Sequence, residues 1–215
     1  MKKKKNLSRT KASLPKVQPQ YHQTEVTKTK DRRTEIVHAL HECIRKSGYA
    51  ETRLSDLAKS SKLSVSHLLY YFPSKEAVLE KLCHGFLDGL FAEFVEYGDT
   101  SPKEQLDLLI NQFFPRKEAE AASLGLGLEL IGLSMHRPTI FQIMRLHNRE
   151  MMRYLTDLFS KLPRRRGVTA EEAARIAAGL RVGLFTNAIY DDELDRETAR
   201  KIFRRSMYEL AGMRE

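Results

Sequence analysis

Thr52–Lys75 reads TRLSDLAKSSKLSVSHLLYYFPSK, and the rest of the chain is arranged around this stretch. Leu54, Leu57 and Ala58 fall at i, i+3 and i+4, one apolar stripe of a short helix. Thr52 or a neighbour is placed to cap it, since a hydroxyl accepts the orphan N–H groups of a first turn. Ala58 is small enough for a second helix to cross closely. Ser61-Lys62-Leu63 makes a short turn, with Leu63 plugging the angle between the helices. Ser64 is the expected N-cap of a second helix over Val65–Tyr71. Leu68 and Phe72, four apart, turn inward, which leaves Ser66, His67 and Tyr70 facing out. Ser74 caps a third helix. This is the plan of a helix-turn-helix, whose second helix enters a DNA major groove.

The charge agrees with that plan. The chain has 215 residues and a formal net charge of +9, unevenly placed. Up to Lys75 there are 17 Lys and Arg against 6 Asp and Glu; the remainder holds 20 against 22. A basic excess confined to the motif half suits a partner that carries phosphate. Cys43 and Cys83 sit in apolar helical registers, so no disulfide framework is expected and a reducing cytoplasm is the default. No uncharged run is long enough to span a bilayer, and no apolar signal core follows Lys2–Lys5.

The pattern predicts an all-α chain of about nine helices in three parts. Residues 1–30 are polar and basic, with Pro15 and Pro19, and read as a disordered arm. That arm is either a solvated tail or a strand that lies on phosphate or in a minor groove. Residues 31–77 form the helix-turn-helix domain, beginning with an amphipathic helix from Arg32 to Ser47 on Ile36, Val37, Leu40, Cys43 and Ile44, with Gly48 as its stop. His38, His41 and Cys43 lack metal-ligand spacing and read as structural. Residues 78–215 form a second, larger helical domain. Lys75 to Tyr97 carries an inward face of Val78, Leu79, Leu82, Cys83, Phe86, Leu87, Leu90, Phe91 and Phe94, with Gly85 and Gly89 expected to permit close packing. Ser101-Pro102-Lys103-Glu104 and Thr169-Ala170-Glu171-Glu172 are capping boxes opening two later helices, and Pro138 opens another.

The run Gly48-Tyr49-Ala50-Glu51-Thr52, then Leu57-Ala58, Leu63-Ser64 and Leu68-Leu69-Tyr70-Tyr71-Phe72-Pro73-Ser74-Lys75-Glu76 resembles the DNA-binding domain of TetR-family transcriptional regulators. The likeness covers about residues 32–80. It departs where Lys62 replaces the usual turn glycine, at Val65-Ser66-His67, and at Leu69, positions on or beside the reading surface. The Ser134-Met135-His136-Arg137-Pro138 junction is similar to the subgroup of the betaine-pathway repressor, too short an overlap to assign a ligand.

The resemblance implies phosphate contacts from Thr52, Ser64, Tyr70, Tyr71 and Lys75, and Arg53 joins them as a further DNA-binding candidate. Val65, Ser66 and His67 are the candidates to face base edges, and His67 is the best single choice for specificity. It implies a homodimer through the last two helices, and the candidates for that seam are Ala177, Leu180, Leu184, Phe203, Met207 and Leu210; the alternative is that these close the chain's own core. It implies an apolar effector pocket, for which Phe113, Leu128, Met135, His136, Met144, Tyr154 and Phe185 are the candidates. It also makes the fourth helix the lever between the domains. The expected function is a DNA-binding repressor that takes a palindromic operator as a dimer and is released by a small-molecule effector. The alternative is an architectural DNA-binding protein. No catalytic motif, cofactor site or metal site is read from the sequence.

Overall fold

The computed structural model describes residues 26–96, 100–114 and 118–214, and among them it holds nine helices and no strand. These are α1 (Val26–Glu51), α2 (Leu54–Ser60), α3 (Val65–Tyr71), α4 (Lys75–Glu96), α5 (Pro102–Phe113), α6 (Glu118–Ser134), α7 (Pro138–Ser160), α8 (Ala170–Tyr190) and α9 (Arg196–Leu210). The expected arm lies outside the described residues up to position 25, and α1 begins at Val26, earlier than the apolar stripe requires. The α4 side chains of Leu90, Phe91 and Phe94 also lie outside the described residues.

The caps follow the sequence at most termini. Ser101 accepts from the Glu104 N–H at 3.3 Å, and the Glu104 carboxylate accepts from the Ser101 N–H at 2.8 Å. Thr169 and Glu172 repeat the arrangement at 3.2 and 2.8 Å. In the acidic turn before α9, Asp195 accepts from the Thr198 N–H at 2.6 Å and caps that helix. The cap of α2 falls on the neighbour of Thr52. Thr52 donates its hydroxyl to the Gly48 carbonyl at 2.8 Å, so Arg53 takes the N-cap position and the Asp56 carboxylate accepts its N–H at 2.9 Å. Gly48 itself breaks the helical path at φ 77, ψ 161, a region only glycine enters without strain.

Two apolar cores result. One lies among α5, α7, α8 and α9 and includes Leu106, Ile110, Phe113, Leu155, Phe159 and Phe203. The other starts in the head, on Ile36, Leu40, Tyr49, Leu57 and Leu68. It continues without a break through Val78 and Leu82 of α4, Leu126 and Leu130 of α6, and Ile140 of α7. The head's core therefore runs well past residue 77. Burial pushes the Cys83 thiol up to about 11, which makes it an inert core group. Gly85 and Gly89 do not mediate close packing: no atom among the described residues lies within 4 Å of where a Cβ would stand at either.

The C-terminal hairpin corrects the seam expected from sequence. Ala177, Leu184, Phe203, Met207 and Leu210 are buried in this chain's own core, and Leu180 is half-buried against it. The small and aromatic residues pack in the chain's own core between α5, α7, α8 and α9, the alternative that the sequence left open. The exposed residues of α8 include Arg175, Ile176, Gly179, Asn187, Ile189 and Tyr190; those of α9 include Thr198, Lys201, Arg205 and Glu209. Polar ties hold α9 to α5. Asp107 accepts from both Arg204 and the Tyr208 hydroxyl at 2.8 Å, and Arg200 donates to Asn111 at 2.7 Å and to the Phe114 carbonyl at 3.2 Å.

Candidate nucleic-acid interface

The turn between α2 and α3 is a Schellman closure. Leu63 N–H donates to the Ala58 carbonyl at 2.8 Å and Lys62 N–H to the Lys59 carbonyl at 3.2 Å, which forces Lys62 to φ 56. Ser61 is buried and folds its hydroxyl back onto the Leu57 carbonyl at 2.8 Å. A β-carbon in the left-handed region costs about 1–2 kcal/mol. Lys62→Gly is therefore expected to raise stability by about 1 kcal/mol. Urea unfolding at fixed slope measures it, and no gain would show that the lysine sits there without strain.

Helix α3 is fixed from beneath and open above. Ser64 caps it, accepting from the His67 N–H at 3.1 Å. Leu68 is completely buried and Phe72 nearly so. Val65 is 39% exposed and Tyr70 78%, which takes Val65 out of the core and onto the surface. Ser64, Ser66, His67 and Arg53 are also exposed, and Tyr71 is half-buried. His67 stands 5.4 Å from the Tyr71 ring and 6.5 Å from Tyr70, and the two tyrosines meet edge to face at 5.2 Å. Leu69, at 40% exposure, adds an apolar edge beside Val65.

Thr52 and Lys75 hold the motif from inside. Thr52 is 1% exposed with its proton on Gly48. Lys75 donates to the Tyr49 carbonyl at 3.0 Å and the Thr52 carbonyl at 2.6 Å, with its ammonium 4.1 Å from the Tyr49 ring centre. Burial lowers its pKa. The hydroxyl expected on phosphate thus closes the end of α1 on itself, and the cation ties that end to the start of α4.

Residues outside the predicted site positions join the head to the second half. Tyr49 is buried between Lys75 and the Arg137 guanidinium, the latter 4.7 Å from its ring centre. Its hydroxyl donates to Glu76 at 3.2 Å, its backbone N–H donates to Glu129 of α6 at 3.0 Å, and Arg137 reaches Glu76 at 3.7 Å. Burial, with the Glu76 charge next in size, pushes the Tyr49 hydroxyl up. Only long-range packing brings these groups together, so no local pattern announces them.

The seven effector candidates do not gather in one place. Phe113 is core, with Tyr154 and Phe185 half-buried against the same cluster. Met144 packs on the other core and Leu128 is half-buried on α6. Met135 and His136 are exposed at the α6–α7 turn, because α6 ends at Ser134. Two open surface grooves, of about 850 and 460 Å³, are lined by charged residues of α1–α2 and α7–α8 and include none of the seven.

A basic head with a capped, outward-facing second helix after a tight turn defines a helix-turn-helix DNA-binding protein. Comparison with known proteins gives the family. Residues 36–82 match the model for bacterial regulatory proteins of the tetR family, and residues 102–211 match the C-terminal model of BetI-type transcriptional repressors. The HTH-type transcriptional regulator BetI 1 of Chromohalobacter salexigens is 28% identical over 176 residues, 80% of this chain and 86% of that protein. A putative transcriptional regulator from Saccharomonospora viridis, solved in complex with choline, superposes with a TM-score of 0.74 at 19% identity, covering 81% of this chain and 94% of that one. A TetR transcription regulator from Haloarcula marismortui gives 0.73 at 20% identity, over 85% and 97%. The chain belongs to the TetR family and carries a BetI-type C-terminal half. It is a DNA-binding transcriptional repressor, a reading the family favours over an architectural one. No helix among the described residues is long and apolar enough to cross a membrane.

Proposed function

We propose that this repressor acts in the cytoplasm as a homodimer on a palindromic operator and leaves it when a small molecule binds the C-terminal helices. The observation that carries the reading is the exposed row Val65, Ser66, His67 and Tyr70 above the buried Leu68. One such helix reads only a few base pairs, so a twofold partner supplies the second half-site. The outward stripe of α8, Ile176, Gly179, Asn187 and Tyr190, is the face available to that partner. Val65 suits a thymine methyl, His67 a base edge, and Arg53, Ser64, Tyr70 and Tyr71 the flanking phosphates. The choline complex of a protein with this fold supports a small-molecule effector as a type. The family consists of regulators, and the chain is read as no enzyme.

Fluorescence anisotropy on DNA from upstream of its own gene, against a shuffled duplex and across a salt series, tests it. The upstream DNA is expected to bind at least about a thousandfold tighter. His67→Ala is expected to weaken that binding by about 1–3 kcal/mol and to leave the shuffled duplex unchanged. Equal binding of both duplexes and of random-sequence pools, collapsing with salt, would return the weight to sequence-independent binding.

A further inference from the structure

Arg181 of α8 lies on the inward stripe of its helix, one turn from Ala177 and three residues from Leu184, both core residues. It turns away from the outward face of Ile176 and Gly179 and lays its guanidinium 4.7 Å from the ring centre of Phe113 on α5. Burial lowers its pKa, and no other charge contributes. The side chain nevertheless keeps some accessible surface. The guanidinium is thus largely desolvated where it lies against Phe113. Among the described residues no carboxylate pairs with Arg181 and no acceptor takes its N–H groups. The other inward arginines of this domain differ: Arg200 donates to Asn111 and Phe114, and Arg204 pairs with Asp107.

The surroundings are mixed. Phe185 follows Arg181 by one turn, and Tyr154 belongs to the same core as Phe113. Around one groove, Met152, Thr156 and Ser160 of α7 face Glu171 and Arg175 of α8, which fixes the antiparallel pairing of the two helices. Carried along, that pairing places Arg181 level with the His147–Met151 turn of α7. Gln112 Oε1, His147 Nε2 and the Tyr154 hydroxyl are all shielded from solvent. Burial lowers the pKa of His147, so it adds no firm second cation.

We propose that Arg181 is the centre of the effector site and that the effector is an organic monocarboxylate with an apolar or aromatic body, not a quaternary ammonium. The inference rests on the effector-responsive reading above and gives it a ligand class. A buried cation without a counter-charge is unfavourable and gains most from an anion. The planar fork accepts a carboxylate through two parallel N–H bonds while its face stays on Phe113. One cation balances one negative charge, which favours a monoanion over a phosphate dianion. Phe113, Phe185 and Tyr154 suit the body of such a ligand. A trimethylammonium group brought to the same place would meet an unscreened like charge.

The test uses the purified full chain and thermal unfolding at matched ionic strength. The probes are acetate, hexanoate and benzoate, against choline, hexyltrimethylammonium and benzyltrimethylammonium. At least one carboxylate is expected to raise the Tm by about 2–4 °C or more, and no ammonium to do so. In Arg181→Met the carboxylate response is expected to vanish. The ligand-free Tm of that variant should hold or rise by up to about 4 °C, because an uncompensated charge has been removed. Arg181→Lys should keep a reduced response. The proposal is overturned if no carboxylate moves the Tm, if the ammonium series does so instead, or if Arg181→Met responds like the wild type. It is also overturned if Arg181→Met melts more than about 4 °C lower, since that marks a structural partner. The active carboxylate is then added to the complex with upstream DNA. Stabilisation at Arg181 without DNA release keeps the site and removes the effector reading. DNA release by choline, unchanged in Arg181→Met, keeps the effector reading and overturns the carboxylate.

Discussion

Tyr49→Ala is expected to lower stability by about 3–5 kcal/mol, the loss typical of emptying a buried aromatic site. For a chain of this length that corresponds to a fall in Tm of roughly 6–20 °C. Tyr49 is 1% exposed, at the point where α1, α4 and the α6–α7 turn meet. Its removal opens a cavity in the head's core, and the Lys75 and Arg137 cations both lose the ring that separates them. Tyr49→Phe keeps the ring and gives up only the hydrogen bond to Glu76, so it should cost about 0.5–1.5 kcal/mol. Calorimetry on the pair separates packing from polar contact. Similar, small losses for both would show that neighbouring side chains close over the site.

Gly212→Ala is expected to cost about 2–5 kcal/mol, adding left-handed strain to overpacking. Gly212 follows α9 at φ 68, and a β-carbon there would stand 2.5 Å from the Arg164 carbonyl oxygen. That oxygen belongs to backbone and cannot swing aside. The segment is pinned, with Arg164 N–H on the Ala211 carbonyl at 2.8 Å and Arg165 N–H on Leu210 at 3.0 Å. Urea unfolding measures the change. A loss below about 1 kcal/mol would mean that the 163–167 linker moves as a unit to admit the methyl group. Gly167, with nothing nearby, gives a control in which strain acts without a clash.

The local signals were legible to the degree that their physics is local. Capping boxes at Ser101 and Thr169, the Ser64 cap and the inward pair Leu68 and Phe72 depend on residues within one or two turns, and each appears where the spacing puts it. The helix stripes and the all-α class follow for the same reason. The failures share one cause. A stripe says that a side chain is inward but not which neighbour it meets, so Phe203 and Met207 read equally well as a seam between copies or as this chain's own core. Lys75 carries a charge that suits phosphate, and only the folded geometry shows it donating to two carbonyls. Arg181 gives no periodic signal, since the helix that carries it also holds the solvent-facing Arg175.

The continuous core from Ile36 to Ile140 bears on how such regulators can be recombined. A chimera cut at the start of α4 would pair a foreign head with α4, α6 and α7 surfaces shaped for Leu57, Leu68 and Tyr49. Glu129 and Arg137 would then meet a backbone and a ring that they were not matched to. Exchange of reading specificity between relatives is therefore best made inside α3 itself, at its solvent-exposed positions. New operators have the same narrow window: the five exposed positions of α3, Val65, Ser66, His67, Leu69 and Tyr70, on top of a head whose core is continuous with its body.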